Sequence, residues 1–65
     1  MKKIMYVKQS GNQVSLYDSF NREYCRVNGT LVSYTSDFVI TSGGKFCTHN
    51  HVYDASGKWV RDVQK

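Results

Sequence analysis

Leu16-Tyr17-Asp18-x-x-x-Arg22-x-x-x-x-Val27 and Val52-Tyr53-Asp54-x-x-x-Lys58-x-x-x-x-Val63 are one phrase written twice, 36 positions apart. In each, an aliphatic residue and a tyrosine close a strand-like run, an aspartate follows, and a basic residue opens the next run. Aspartate at a strand end turns the chain, because its carboxylate accepts hydrogen bonds from backbone N–H groups just ahead of it. Each phrase therefore reads as strand, Asp turn, strand. Upstream, Tyr6-Val7-x-x-Ser10-Gly11 matches Phe38-Val39-x-x-Ser42-Gly43 at an offset of 32. The difference between the offsets is a single insertion around residues 44–50. The chain is a two-copy repeat, with copy one over about 3–35 and copy two over about 38–65.

Composition agrees with strands. The 65 residues include one Ala (Ala55), one Glu (Glu23) and two Leu, against eight Val, four Thr, five Tyr, three Phe and one Trp. β-Branched and aromatic side chains suit a pleated, half-buried surface and lose rotamer freedom in a helix. Turn signals fall at Ser10-Gly11-Asn12, Asp18–Asn21, Asn28-Gly29, Ser36-Asp37, Ser42–Gly44 and Ala55–Gly57. They divide the chain into strands near 3–9, 13–18, 22–27, 30–35, 38–41, 45–54 and 58–63. Asn28-Gly29 between Val27 and Leu31 is the strongest two-residue hairpin signal. The expected fold is a single all-β domain over 1–65, a short-strand antiparallel meander. A small closed barrel of SH3 or OB type has the same strand count and is the alternative.

This repeat resembles the blades of β-propellers and related β-repeat proteins, in which a Tyr-Asp ends one strand and a short turn with a basic residue starts the next. The period is shorter than that of WD40 repeats, and neither Trp-Asp nor Gly-His occurs. The resemblance implies an architecture and no activity. One β unit cannot cover its own apolar face, and a 65-residue chain has a marginal core. Copy one musters four strands and copy two three, leaving open edges that proteins rarely leave bare. Closure by a homo-oligomer, with a trimer favoured, resolves both problems, each chain pairing its last strand with its neighbour's first. Ile4, Tyr6, Val60 and Val63 are the residues expected at that junction.

Candidate chemistry is sparse. Cys25, Cys47, His49 and His51 form the single metal-like set. Yet Cys47-x-His49-x-His51 falls in an expected strand, where same-face neighbours stand nearly ~7 Å apart and cannot easily converge on one ion. No cofactor is expected. A Cys25–Cys47 disulfide is disfavoured in a chain with no leader signal, which points to a reducing cytoplasm and free thiols. Asp18 and Asp54 read as turn caps rather than acids, and no P-loop or nucleophile elbow occurs. The chain reads as non-enzymatic. No apolar run reaches the ~20 residues of a membrane helix.

The net charge of +4 rests on nine basic residues spread along the chain. Tyr24 lies between Arg22 and Arg26, and Trp59 beside Lys58 and Arg61. Aromatics beside cations are the composition of interface hot spots, so Trp59, Tyr24, Arg22, Arg61 and Lys58 are the candidate binding residues. Trp59 serves equally well as the largest core residue. The expected function is a small binding or assembly protein, in the style of accessory proteins of bacteria and their phages. A β module for single-stranded nucleic acid is the alternative, since such modules stack bases on aromatics beside cations.

Overall fold

The computed structural model describes residues 3–43 and 48–64, and they form strands and turns with no helix. The strands are β1 (Tyr6–Ser10), β2 (Gln13–Tyr17), β3 (Glu23–Asn28), β4 (Thr30–Tyr34), β5 (Phe38–Ser42), β6 (His49–Asp54) and β7 (Trp59–Gln64). All pairings are antiparallel, and they make two sheets, β1-β2-β3 and β4-β5-β6-β7. Every strand read from the sequence is present. The part of the sixth expected strand that precedes Thr48 lies outside the described residues. Neither sheet closes into a barrel, so the SH3/OB alternative does not hold.

The repeat is visible bond for bond in the Asp turns. Asp18 Oδ1 accepts from the backbone N–H of Phe20 (2.9 Å) and Arg22 (3.1 Å). Asp54 Oδ1 accepts from the same two positions, Ser56 (3.0 Å) and Lys58 (3.0 Å), and also from the Ser56 hydroxyl (2.6 Å). The Asp18 N–H donates to the Arg22 carbonyl as the Asp54 N–H donates to that of Lys58. The turn's third residue has positive φ in both, 63° at Asn21 and 86° at Gly57. Each turn is followed by a bulge. Tyr17 pairs with Glu23 and Leu16 with Cys25, which leaves Tyr24 as the extra residue. Tyr53 pairs with Trp59 and Val52 with Arg61, which leaves Val60. Asp turns and bulges thus recur at the sequence offset, and β1-β2-β3 answers to β5-β6-β7.

The units differ in strand number. β4 completes the second sheet rather than the first, so the four-strand sheet is the later one. Asn28-Gly29 is accordingly not a hairpin: β3 and β4 belong to different sheets. A type I′ turn needs positive φ at both residues, and here Gly29 alone has it, at 112°. What the glycine supplies is closeness. A Cβ at Gly29 would lie 2.8 Å from both the Ser42 carbonyl oxygen and Thr41 Oγ1. The Gly29 N–H donates to the Asn12 carbonyl (2.7 Å), and Thr41 Oγ1 donates to the Asn28 carbonyl (2.9 Å). The dipeptide is the crossover between sheets.

The core lies between the sheets. Leu16 is opposite Val7 and Cys25, and Val14 is opposite Val27, so alternation puts them all on one face of the first sheet. Ile4, Val14, Leu16, Val27 and Val39 are buried together, with Leu31 and Tyr53 of the second sheet and Ala55 of the turn after β6 packed against them. Ile4 is therefore in the core and not at a chain junction. Its N–H donates to the Ser36 carbonyl (2.8 Å), which draws the N-terminal segment across the β4–β5 turn. Gln9 fastens the same seam, accepting from the Leu31 N–H (2.7 Å) and donating to the Gly29 carbonyl (3.2 Å). Among the described residues no aromatic side chain is fully buried.

Candidate interaction surface

The bulge at Val60 decides what β7 presents. In a regular strand Trp59 and Asp62, three apart, would point to opposite faces. With Val60 inserted they share one, where Tyr53 is opposite Trp59 and His51 is opposite Asp62. The Asp62 carboxylate gathers this group. Its Oδ1 accepts from Trp59 Nε1 (2.8 Å) and lies 2.8 Å from His51 Nδ1. A proton on Nδ1 donated to the carboxylate leaves His51 Nε2 as the accepting nitrogen. The His51 hydrogen bond first, and that from Trp59 second, hold the Asp62 carboxyl below the usual carboxylate range. Trp59 is 55% exposed, its N–H anchored and its ring open to solvent. It is not a core residue.

The bulge at Tyr24 builds the equivalent place in the first unit from other chemistry. Glu23 and Arg26 share a face, and Arg26 Nε donates to Glu23 Oε1 at 3.0 Å. The Ser15 hydroxyl, from the strand opposite, and then Arg26 lower the Glu23 carboxyl. One backbone device therefore holds an exposed ion pair in one unit and an aromatic–carboxylate–imidazole group in the other.

The five candidate binding residues are divided by the fold. Lys58 and Trp59 are adjacent and exposed, with the Lys58 N–H held by Asp54. Arg61 pairs with Val52, on the face of β7 opposite Trp59. Arg22 belongs to the other Asp turn, its guanidinium 5.9 Å from the centre of the exposed Phe20 ring. Tyr24 is half-buried, and its hydroxyl donates to the Ala55 carbonyl across the interface between units. Of the metal-like set, Cys25 is a free thiol against the Ser56 carbonyl (3.6 Å), His49 Nδ1 meets the Thr48 hydroxyl (2.9 Å), and His51 is engaged by Asp62. Cys47 lies outside the described residues. Among the described residues no three His, Cys, Asp or Glu side chains converge on a metal position.

His51 and Asp62 as partners of Trp59 escape a reading of the sequence, because regular alternation hides a face that only the bulge creates. Phe20 escapes as well, being a lone aromatic in a turn. An open polar cleft of about 850 Å³ adjoins this surface, with His51 and Tyr53 on one side and Gln13, Asn28 and Gly29 on the other. No helix of the described residues is long and apolar enough to cross a membrane. Comparison with known proteins finds no matching family model, no matching curated protein and no matching solved structure.

Proposed function

We propose that this chain is a small non-catalytic binding and assembly protein that works as a homo-oligomer, a trimer by the count of blade-like units. One observation carries the reading: the core uses Val, Leu and Ile, while Phe20, Tyr34, Phe38 and Trp59 are all exposed, together with Met5, Val32 and Val60. So many large apolar side chains on so small a surface mark contact with other macromolecules. The carboxylates support a structural role. Asp18 and Asp54 cap turns, Glu23 and Asp37 pair with Arg26 and Lys3, and Asp62 anchors Trp59 and His51. The free Cys25 thiol suits a reducing cytoplasm.

The exposed Trp59 beside Lys58 also favours a second reading, single-stranded nucleic acid stacked on the indole. A pull-down with wild type and Trp59→Ala, beside gel shifts on short oligonucleotides at two salt concentrations, separates the two. A protein retained by wild type and lost by Trp59→Ala supports the first. Oligonucleotide binding that falls steeply with salt and needs Trp59 transfers the function to nucleic acid. Wild type that retains neither contradicts both.

A further inference from the structure

The chain contains its own template for assembly. Within it, the first unit docks on the second through Leu16, Val27, Tyr24 and Cys25, which meet Val39, Tyr53 and the Ala55–Gly57 turn. Each of these positions has a counterpart in the other unit. Leu16, Tyr24, Cys25 and Val27 become Val52, Val60, Arg61 and Val63, on the same face of the second unit. By pairing register, one residue off the sequence match of Val7 with Val39, Tyr53 and its partner Val39 become Tyr17 and its partner Tyr6, and the Ala55–Gly57 turn becomes Ser19–Asn21. A face equivalent to the docking one thus lies at one end of the chain, with Val60 and Arg61 exposed, Val63 half-buried and Val52 already buried at its centre, and a face equivalent to the receiving one lies at the other.

We infer that copies of this chain associate head to tail, the Val60–Val63 face of one seating on the Tyr6–Tyr17–Phe20 surface of the next and repeating the internal step. This rests on the reading of the chain as an assembly protein and goes beyond it by naming the two surfaces. Both surfaces carry exposed apolar side chains, while Ser19 and Arg61 stand where the internal junction has Ala55 and Cys25, and Phe20 stands where it has Ser56. Val60 is 39% and Phe20 77% exposed, and Tyr6 and Tyr17 stack with centroids 4.5 Å apart and planes within 5°. The Tyr6 hydroxyl donates to Asn21 Oδ1, so the stacked pair also braces the turn beside Phe20. The most intimate internal contact changes on both sides at once. Cys25 fits against Gly57, where a Cβ would lie 2.1 Å from its Sγ, and the outer counterparts of this pair are Arg61 and Asn21. A small, tight pair inside answers to a long, hydrogen-bonding pair outside. A heterologous contact of this kind generates rings when its rotation closes.

Because the two surfaces differ, they can be damaged separately. Val60→Glu spoils the docking face and leaves the receiving face intact, and Phe20→Glu does the reverse. Each variant alone is expected to be a folded monomer by light scattering and circular dichroism. An equimolar mixture at high concentration is expected to give a species of twice the chain mass, since one sound junction can form. Val60→Thr, nearly isosteric, gives a partial loss of assembly should the charged variant not fold. A wild-type chain that is itself monomeric overturns the assembly reading together with this one. Assembly that survives both charged variants, or a mixture that stays monomeric, overturns the head-to-tail surfaces and leaves the assembly reading standing.

Discussion

Gly57 and Cys25 show how much a single position can govern in a domain this small. Gly57 has φ 86°, and a Cβ there would lie 2.1 Å from Cys25 Sγ, so Gly57→Ala meets both backbone strain and a clash. The left-handed conformation alone costs a residue with a side chain about 1–2 kcal/mol. Gly57→Ala is therefore expected to lower the denaturation midpoint by more than that strain alone. Adding Cys25→Ala should restore the steric part but not the backbone part, because Cys25 Cβ stands at an ordinary 3.5 Å. Urea titration of the two single variants and the double measures this as a coupling between them. Asp54, Asp62 and Glu23 set the response to acid. The Ser56 hydroxyl first, then the Lys58 N–H, lower the Asp54 carboxyl, and Asp62 and Glu23 are lowered as described above. Their folded values lie below their unfolded ones, so the unfolded chain binds more protons. Their contribution is complete above the unfolded value and is lost as pH falls through the folded one, below about pH 4. Thermal melts should hold steady near neutrality and drop below that point. A midpoint unchanged down to about pH 2 would contradict the turn and bulge assignments.

At the scale of elements, the Asp turn followed by a bulge is the repeated unit, and its halves are not equal. Asp54 receives three hydrogen bonds through Oδ1 and Asp18 two. Both Asp54→Ala and Asp18→Ala should lower the melting temperature, the former by more. A larger loss from Asp18→Ala would mean the turns are not equivalent in the way the geometry says. These turns were legible in the sequence because Asp, Tyr and the basic residue sit at fixed offsets and each has a local reason to be there. The strands were legible from the Val- and Tyr-rich runs between Gly, Asn and Ser. The bulges were not, because an inserted residue leaves no composition of its own, and with them went the Trp59–Asp62–His51 group. Asn28-Gly29 misled for a related reason. The dipeptide signals positive φ, which Gly29 has, but the close approach of Thr41 and Ser42 uses it for a crossover between sheets rather than a hairpin. The position of Ile4 in the sequence points to the chain's edge, because the hydrogen bond to Ser36 that carries it into the core is non-local.

For the whole molecule the question is how two thin sheets remain folded. Among the described residues the buried apolar side chains are Ile4, Val14, Leu16, Val27, Val39 and Val52, none of them aromatic. A domain this size holds only about 3–10 kcal/mol of net stability. Leu16→Ala, which empties the best-buried large side chain, costs about 2–5 kcal/mol and should leave a large unfolded fraction at room temperature by circular dichroism. Such a core explains why the internal junction would be worth repeating between chains, where Val60, Val63, Tyr6, Tyr17 and Phe20 would leave water. Light scattering on the wild-type chain, from high micromolar concentration down through serial dilution, tests this most directly. The account predicts a folded species at a multiple of the 7.5 kDa chain mass, three-fold by the count of units, whose mass falls toward that of one chain on dilution. A 7.5 kDa monomer whose circular dichroism and mass stay unchanged throughout the dilution would contradict it.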